Sequence, residues 1–393
     1  VIKPLFGLSL PRNSGQMGLG RFFTLFTAVI MPLGSVVASE EVGHSEHSSA
    51  PVEHVADEHT SGEAHAPKEE GFNPNEMIMH HIADSHGWHI LDWNGHAVSI
   101  PLPVILWTND GLVVFSSSEF HHDIEGHHVV NAGGQQFVNK HEKIYYAGTE
   151  EKPMDFSITK NVLALLIGAL VIVLIFFSAA RFYAKNTNKA PRGLASFVEP
   201  LILFVRDDIA RGAIPEKHLN RFVPYLLTLF FFIWVNNLLG LVPFFPGGAN
   251  LTGNIAVTLV LAAFTLIITN INGTKDYWMH IVWMPGVPTP LKPILALIEL
   301  IGVFTKPFSL MIRLFANITA GHILVLSLVS LIFIFESVWI SPGSIILTLF
   351  ISTLELLVAA LQAYVFTMLT AMSFGAAVEE HHHDDHAHAE GHH

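Results

Sequence analysis

Apolar and polar positions divide the chain near residue 158. Beyond that point the sequence is hydrophobic in long blocks. Residues 162–177 with their flanks, 222–245 and 255–271 each approach the roughly 20 residues that a helix needs to cross a bilayer core. A fourth block, 293–335, is helix-forming almost throughout and interrupted only by Pro307. At 1.5 Å per residue it would run about 60 Å, twice the hydrocarbon thickness of about 30 Å, so it must be tilted, broken or partly outside the membrane. A last block, 345–374, returns the chain, with Ser341-Pro342-Gly343 as the expected turn between the two. These blocks predict an all-α polytopic membrane protein of about five membrane helices, including a long tilted helical hairpin.

Before residue 158 the pattern differs. Lys3, Arg12 and Arg21, an apolar stretch at 22–31 and the small residues Val36-Val37-Ala38 read as a signal peptide over 1–38. Residues 39–70 are rich in His and Glu and lack bulky apolar side chains, a composition expected to stay disordered. Residues 71–157 read as a small external (periplasmic) α+β region. Residues 77–83 form an amphipathic helix candidate, and the apolar runs 98–107 and 112–116 flank Thr108-Asn109-Asp110-Gly111, a hairpin signal. The membrane domain then occupies 158–378, and 379–393 is a His- and acid-rich tail.

Basic residues fix an expected orientation. Arg181, Lys185, Lys189, Arg192, Arg206, Arg211, Lys217 and Arg221 crowd the loop between the first two blocks, which the positive-inside rule assigns to the cytoplasm. Within it Leu194, Phe197, Val198, Leu201, Ile202 and Val205 recur at helical spacing, an interfacial helix. The uncharged loop 243–254 is then external, and 272–292, with Lys275 and Lys292, internal. The tail ends in the cytoplasm, and a multi-pass protein of the bacterial inner membrane results.

Composition agrees with a lipid environment. The chain is 51% hydrophobic, 13% charged and of mean hydropathy +0.46, against about 25% charged in ordinary soluble domains. With no cysteine, disulfide and thiolate chemistry are excluded. No Gly-x-x-x-x-Gly-Lys-[Ser/Thr] loop is present, so the chain is not read as an ATPase but as non-catalytic and needing no cofactor. Nothing in it points to nucleic acid.

Arg313 stands out within the fourth block. An arginine at the bilayer centre costs roughly 2.5–3.5 kcal/mol on insertion scales and cannot shed its charge. The plainer readings are snorkelling, which at least twenty apolar residues beyond it oppose, and a structural ion pair. At 100° per residue Asn317 lies over the same face as Arg313, Glu299 lies within about 40° of it and about 21 Å nearer the cytoplasm, and His322 points about 180° away. Ala320 and Gly321 permit close approach of another backbone. Glu355 and Gln362, seven apart, share a face of the last helix. Glu299, Arg313 and then His322 with Glu355 make a polar trail suited to two aqueous half-paths separated by a fixed positive charge. Glu299 could equally sit at the interface, His322 could be a core histidine, and Asn236 and Asn237 line a path or bridge helices.

The stretch from Arg313 to His322, Arg-Leu-Phe-Ala-Asn-Ile-Thr-Ala-Gly-His, resembles the signature of the subunit a family of rotary ATP synthases, and 354–366 is similar to that family's last helix. The match covers about residues 155–378. It implies a stator proton channel with two offset half-channels, in which Arg313 is the essential arginine facing carboxylates of a rotating ring of c subunits (the c-ring). Asn317, His322, Glu355 and Gln362 match polar positions of the outer half-channel, and Glu299 matches the acidic position near the cytoplasmic path. Implied partners are the c-ring, the peripheral-stalk b subunits, the rest of the complex and membrane lipid. Many bacterial members carry an acid at the His322 position and a histidine at the Glu355 position; here they are exchanged, as in mitochondrial members. A position near Gly240 that is acidic in some members is uncharged, and the resemblance gives 40–157 no role. The competing reading is a divalent-metal transporter, with the 25 histidines gathering metal.

Overall fold

A computed structural model describes residues 78–379, apart from 80, 94–95, 122, 187–189, 243–244, 285–286 and 336–340. The expected signal peptide, the 39–70 segment and the tail beyond Glu379 lie outside the described residues. Of the 77–83 helix candidate, 78–79 and 81–82 are helical.

Residues 87–155 are built around short antiparallel strands. β1 (Gly87–Trp93) pairs with β2 (His96–Pro101), and β3 (Pro103–Thr108) pairs with β4 (Gly111–Ser116). Thr108 and Gly111 are register partners, so Asn109-Asp110 form the two-residue turn expected from the sequence. Gly111 takes φ +124°, a conformation open to a residue without Cβ. The apolar run 98–107 is not one strand, however. Pro101 and Pro103 lack the N–H a continuing ladder needs, and around Leu102 the chain passes from the β1–β2 sheet to the next. β5 (Val130–Ala132), β6 (Gln135–Lys140) and β7 (Lys143–Tyr146) make a third sheet, while β8 (Met154–Asp155) adds to the free edge of β3. Alternate residues Val104 and Leu106 of β3 point inward with Phe115, Phe120, Phe137 and Ile144 to form the core of this region.

Seven helices follow. α1 (Lys160–Lys185) is capped by Thr159. α2 (Leu194–Leu203) runs through a π-helical turn, Phe204–Ala210, into Arg211–Ala213. α3 is Glu216–Leu241, α4 Ile255–Ile271 and α5 Lys275–Val282. α6 spans Lys292–Phe335 and α7 Ser341–Val378. α1, α3, α6 and α7 are long and apolar enough to cross a membrane; α4 with α5, bent by 103°, makes a possible fifth span. In the loop read as interfacial, Val198, Ile202, Val205 and Ile209 are buried at helical spacing, while Leu194 and Phe197 face out. α3 is the central post, with Leu226, Leu229, Phe231, Phe232 and Ile233 wholly buried. α7 packs along both α3 and α6.

The tilted hairpin emerges as two long helices. α6 continues unbroken through Pro307 for 44 residues, about 66 Å, so a break does not account for the length mismatch, which leaves tilt or a stretch outside the bilayer. Ser341-Pro342-Gly343 is not the turn. It forms the first turn of α7, where proline's missing N–H would have had no helical partner in any case. The connection therefore falls at 336–340, outside the described residues.

Candidate functional site

One side of α6 is packed and the other is open. Leu310, Met311, Leu314 and Ile318 are buried against neighbouring helices, whereas Ser309, Arg313, Ala316, Asn317 and Ala320 form an exposed stripe at three- and four-residue spacing. Arg313 thus projects away from its own fold. Among the described residues no carboxylate pairs with it, so the structural ion pair weighed from sequence is not found there.

His322, on the opposite side, meets α7. Its Nδ1 lies 3.3 Å from Oε1 of Glu355, with side-chain exposures of 17% and 5%. That separation lies within ion-pair distance but without hydrogen-bond alignment, because Oε1 has no hydrogen-bonding partner among the described residues. Two glycines admit the pair. A Cβ on Gly321 would stand 2.9 Å from Glu355 Oε1, and one on Gly240 of α3 would stand 3.7 Å from His322 Nε2 and 3.1 Å from the Ala249 carbonyl. The uncharged Gly240 therefore borders the imidazole directly.

Gln362 is buried two turns beyond Glu355 on the same face of α7. Between them lies Ala359, whose carbonyl accepts from Asn237 Nδ2 at 3.4 Å; Asn237 Oδ1 in turn accepts from the Thr252 hydroxyl at 2.5 Å. Asn237 hence bridges helices beside the Glu355–Gln362 face. Asn236 donates to Phe232 O of its own helix at 2.7 Å and fills the space beside Gly168 of α1, where a Cβ would collide with its Oδ1. Glu299 is half-exposed, 4.0 Å from the exposed Lys306, a contact too long and open for more than weak attraction.

Sequence reasoning missed a second charged group, at the seam between the strand region and α1. Asp84 accepts from the Asn161 N–H and the Thr159 hydroxyl, both at 3.0 Å, and so caps α1. Lys160, 7% exposed, donates to the His81 carbonyl at 3.0 Å. His86, 5% exposed, donates from Nε2 to Asp155 at 2.9 Å. Burial pulls the His86 pKa down, but the Asp155 hydrogen bond and the charges of Asp155, Glu142 and Asp84 outweigh it and hold the imidazole above its ordinary value. Burial also pushes Asp155 up, and its bond and attraction to His86, with two bonds from Ser157, carry it below the usual carboxylate range. For Asp84 burial wins and the carboxyl is raised. Residues 69 to 79 apart meet here, so only the polar composition of 81–86 hinted at a role.

Among the described residues no group of three or more His, Asp and Glu side chains is arranged to hold a metal ion, which leaves the metal-transporter reading without a site there. Comparison with known proteins points elsewhere. Residues 162–374 match the family model described as ATP synthase A chain, and residues 77–163 match a domain of unknown function (DUF8433). A protein named ATP synthase subunit a from Chloroherpeton thalassium is 43% identical over 267 residues, covering 67% of this chain and 78% of that one. Another of that name, from Anaeromyxobacter sp. strain Fw109-5, is 38% identical over 318 residues, covering 79% and 72%. ATP synthase subunit a 2 of Chlorobaculum tepidum is 43% identical over 271 residues, covering 67% and 74%. On this match, which takes in the Arg313 stripe and the His322–Glu355 pair alike, the chain belongs to the ATP synthase A chain family.

Proposed function

We propose that this chain is the stator proton channel of a rotary ATP synthase, working through two offset half-paths against a ring of c subunits and held in place by peripheral-stalk b subunits. The observation that carries the reading is Arg313, a permanent cation on the outward stripe of a membrane helix, with no carboxylate of the described chain beside it. A charge so placed requires a partner from outside the chain. A ring carboxylate supplies it, and the small residues Ser309, Ala316 and Ala320 let a neighbouring helix come close.

In this account a proton arrives from outside, passes the His322–Glu355 pair with Asn317 and Gln362 along its way, and neutralises a ring carboxylate that has moved off Arg313. The neutral site turns through lipid, which a charged one could not do cheaply. It releases its proton to the cytoplasmic path beside Glu299, and the ionised carboxylate is drawn back to Arg313 by the opposite charge. Arginine cannot relay the proton itself, so it also blocks leakage between the paths. Asn236 and Asn237 hold the helices that line the outer path. The basic 181–221 loop and the tail face the cytoplasm and the α+β region faces the periplasm. ATP chemistry belongs to other subunits.

Arg313→Ala is expected to abolish ATP-driven proton pumping in membrane vesicles while the complex still assembles. Normal pumping by the assembled variant would refute the assignment.

A further inference from the structure

The seam between the external region and the membrane helices holds more charge than docking requires. From outside inward, the side chains of Asp155, Glu142 and His86 are 25%, 12% and 6% exposed. His86 presents one ring nitrogen to Asp155 at 2.9 Å, while its Nδ1, buried and without a hydrogen-bond partner among the described residues, stands 4.0 Å from Glu142 Oε2. Behind it lies Asp84, electrostatically coupled both to His86 and to Lys160. The seam reaches the channel through packing: Trp88, two residues beyond His86, clusters with Ala249, whose carbonyl borders the same Gly240 that borders His322. A purely apolar dock was available: Trp88 packs edge-on against Phe245 at 5.3 Å and clusters with Ala164 and Ala249.

We propose that Asp155, Glu142 and His86 form a proton-uptake relay, built into the external domain, that delivers protons to the His322–Glu355 pair of the outer half-path. A proton from external water binds the solvent-touching Asp155 and passes to Nε2 of the imidazole. The ring gives up the proton on Nδ1, the side on which Glu142 stands, and a ring rotation or tautomer exchange restores the starting form, so nothing is consumed. Water carries the proton past Asp84 and Lys160, the groups facing the relay from the 81–86 segment and from α1, to His322 on α6 and Glu355 on α7. The relay rests on the channel reading above and gives the domain that precedes the membrane helices a part in it. A histidine suits the task because its charge changes near neutral pH.

The test uses the whole complex in inverted membrane vesicles, with assembly checked for every variant. Proton flux in ATP synthesis is followed against the pH of the vesicle lumen, which corresponds to the external side. His86→Gln is expected to lower flux several-fold, with the loss growing as lumenal pH rises and protons become scarce. Added imidazole is expected to restore flux to His86→Gly. Asp155→Asn, which keeps shape and a hydrogen bond, is expected to reproduce the pH-dependent loss. Parental flux and pH profile in assembled His86→Gln and Asp155→Asn complexes would overturn the relay, and so would a loss that is equal at all pH values and that imidazole does not restore. The channel reading itself would fail separately, through normal pumping by Arg313→Ala.

Discussion

At Arg313 the residue-scale problem is a charge that can be neither discarded nor satisfied from within the described chain. The two residues across the helix pose the opposite problem. His322 and Glu355 can each change charge, and they are held 3.3 Å apart in a buried place. A fixed charge suits a barrier and a titrating pair suits a carrier, so the two sides of one helix divide the work. His322→Ala is therefore expected to slow proton flux more at high external pH than at low; an unchanged pH profile would make His322 structural. Gly321→Ala tests the same pair sterically. Its new methyl would stand 2.9 Å from Glu355 Oε1, so the carboxylate must shift, and flux should fall in complexes that assemble normally. Parental flux would show that the position of Glu355 is not limiting. Arg313 was legible in the sequence because a lone cation in an apolar block has few uses. The glycine contacts were not, since only packing shows which atom a missing Cβ leaves room for.

At the scale of elements, long apolar blocks announced the spans, and 100° steps along α6 put Arg313 and His322 on opposite sides, as the structure has them. Local signals were less reliable at joints. Pro342 suggested a turn and instead opens a helix, and an apolar run interrupted by Pro101 and Pro103 divides between two sheets. Long-range contacts were invisible. Gly375 of α7 lies against the backbone carbonyl of Ala213, where a Cβ would collide. Gly375→Ala should destabilise the junction by about 1–3 kcal/mol, read as a lower melting temperature of the purified complex; an unchanged one would mean that the backbones can part at no cost. The seam predicts a pH dependence. His86 is raised, so its contribution is complete below the ordinary imidazole range and is lost as pH climbs through the raised value. Asp155 is lowered, so its contribution holds above the ordinary carboxylate range and is lost only in stronger acid. Asp84, raised by burial, contributes below the ordinary carboxylate range and loses that contribution as pH climbs through its own raised value. Amide exchange over 84–160 should then be slower at about pH 6 than expected from intrinsic rates at about pH 9, and His86→Gln should flatten the difference. An equal protection at both values would argue against the His86–Asp155 ion pair.

For the whole molecule, hydropathy sufficed to find the helices able to span, because a bilayer imposes length and polarity on every span, while the Lys/Arg bias of the loops supplies the expected orientation. The external region carried no such constraint, and its docking on α1 depends on contacts between residues far apart in sequence. The open stripe on α6 is the surface on which the account turns. As the chain has no cysteine, single introduced cysteines can map that surface without background. The decisive measurement is disulfide formation in the assembled complex between a cysteine beside the ring carboxylate and one replacing Ala316 on the stripe, with Ile318→Cys on the packed side as its counterpart. The account predicts a rapid cross-link from Ala316→Cys that halts coupled turnover, and none from Ile318→Cys. Cross-linking from the packed side alone, or from neither, would contradict it.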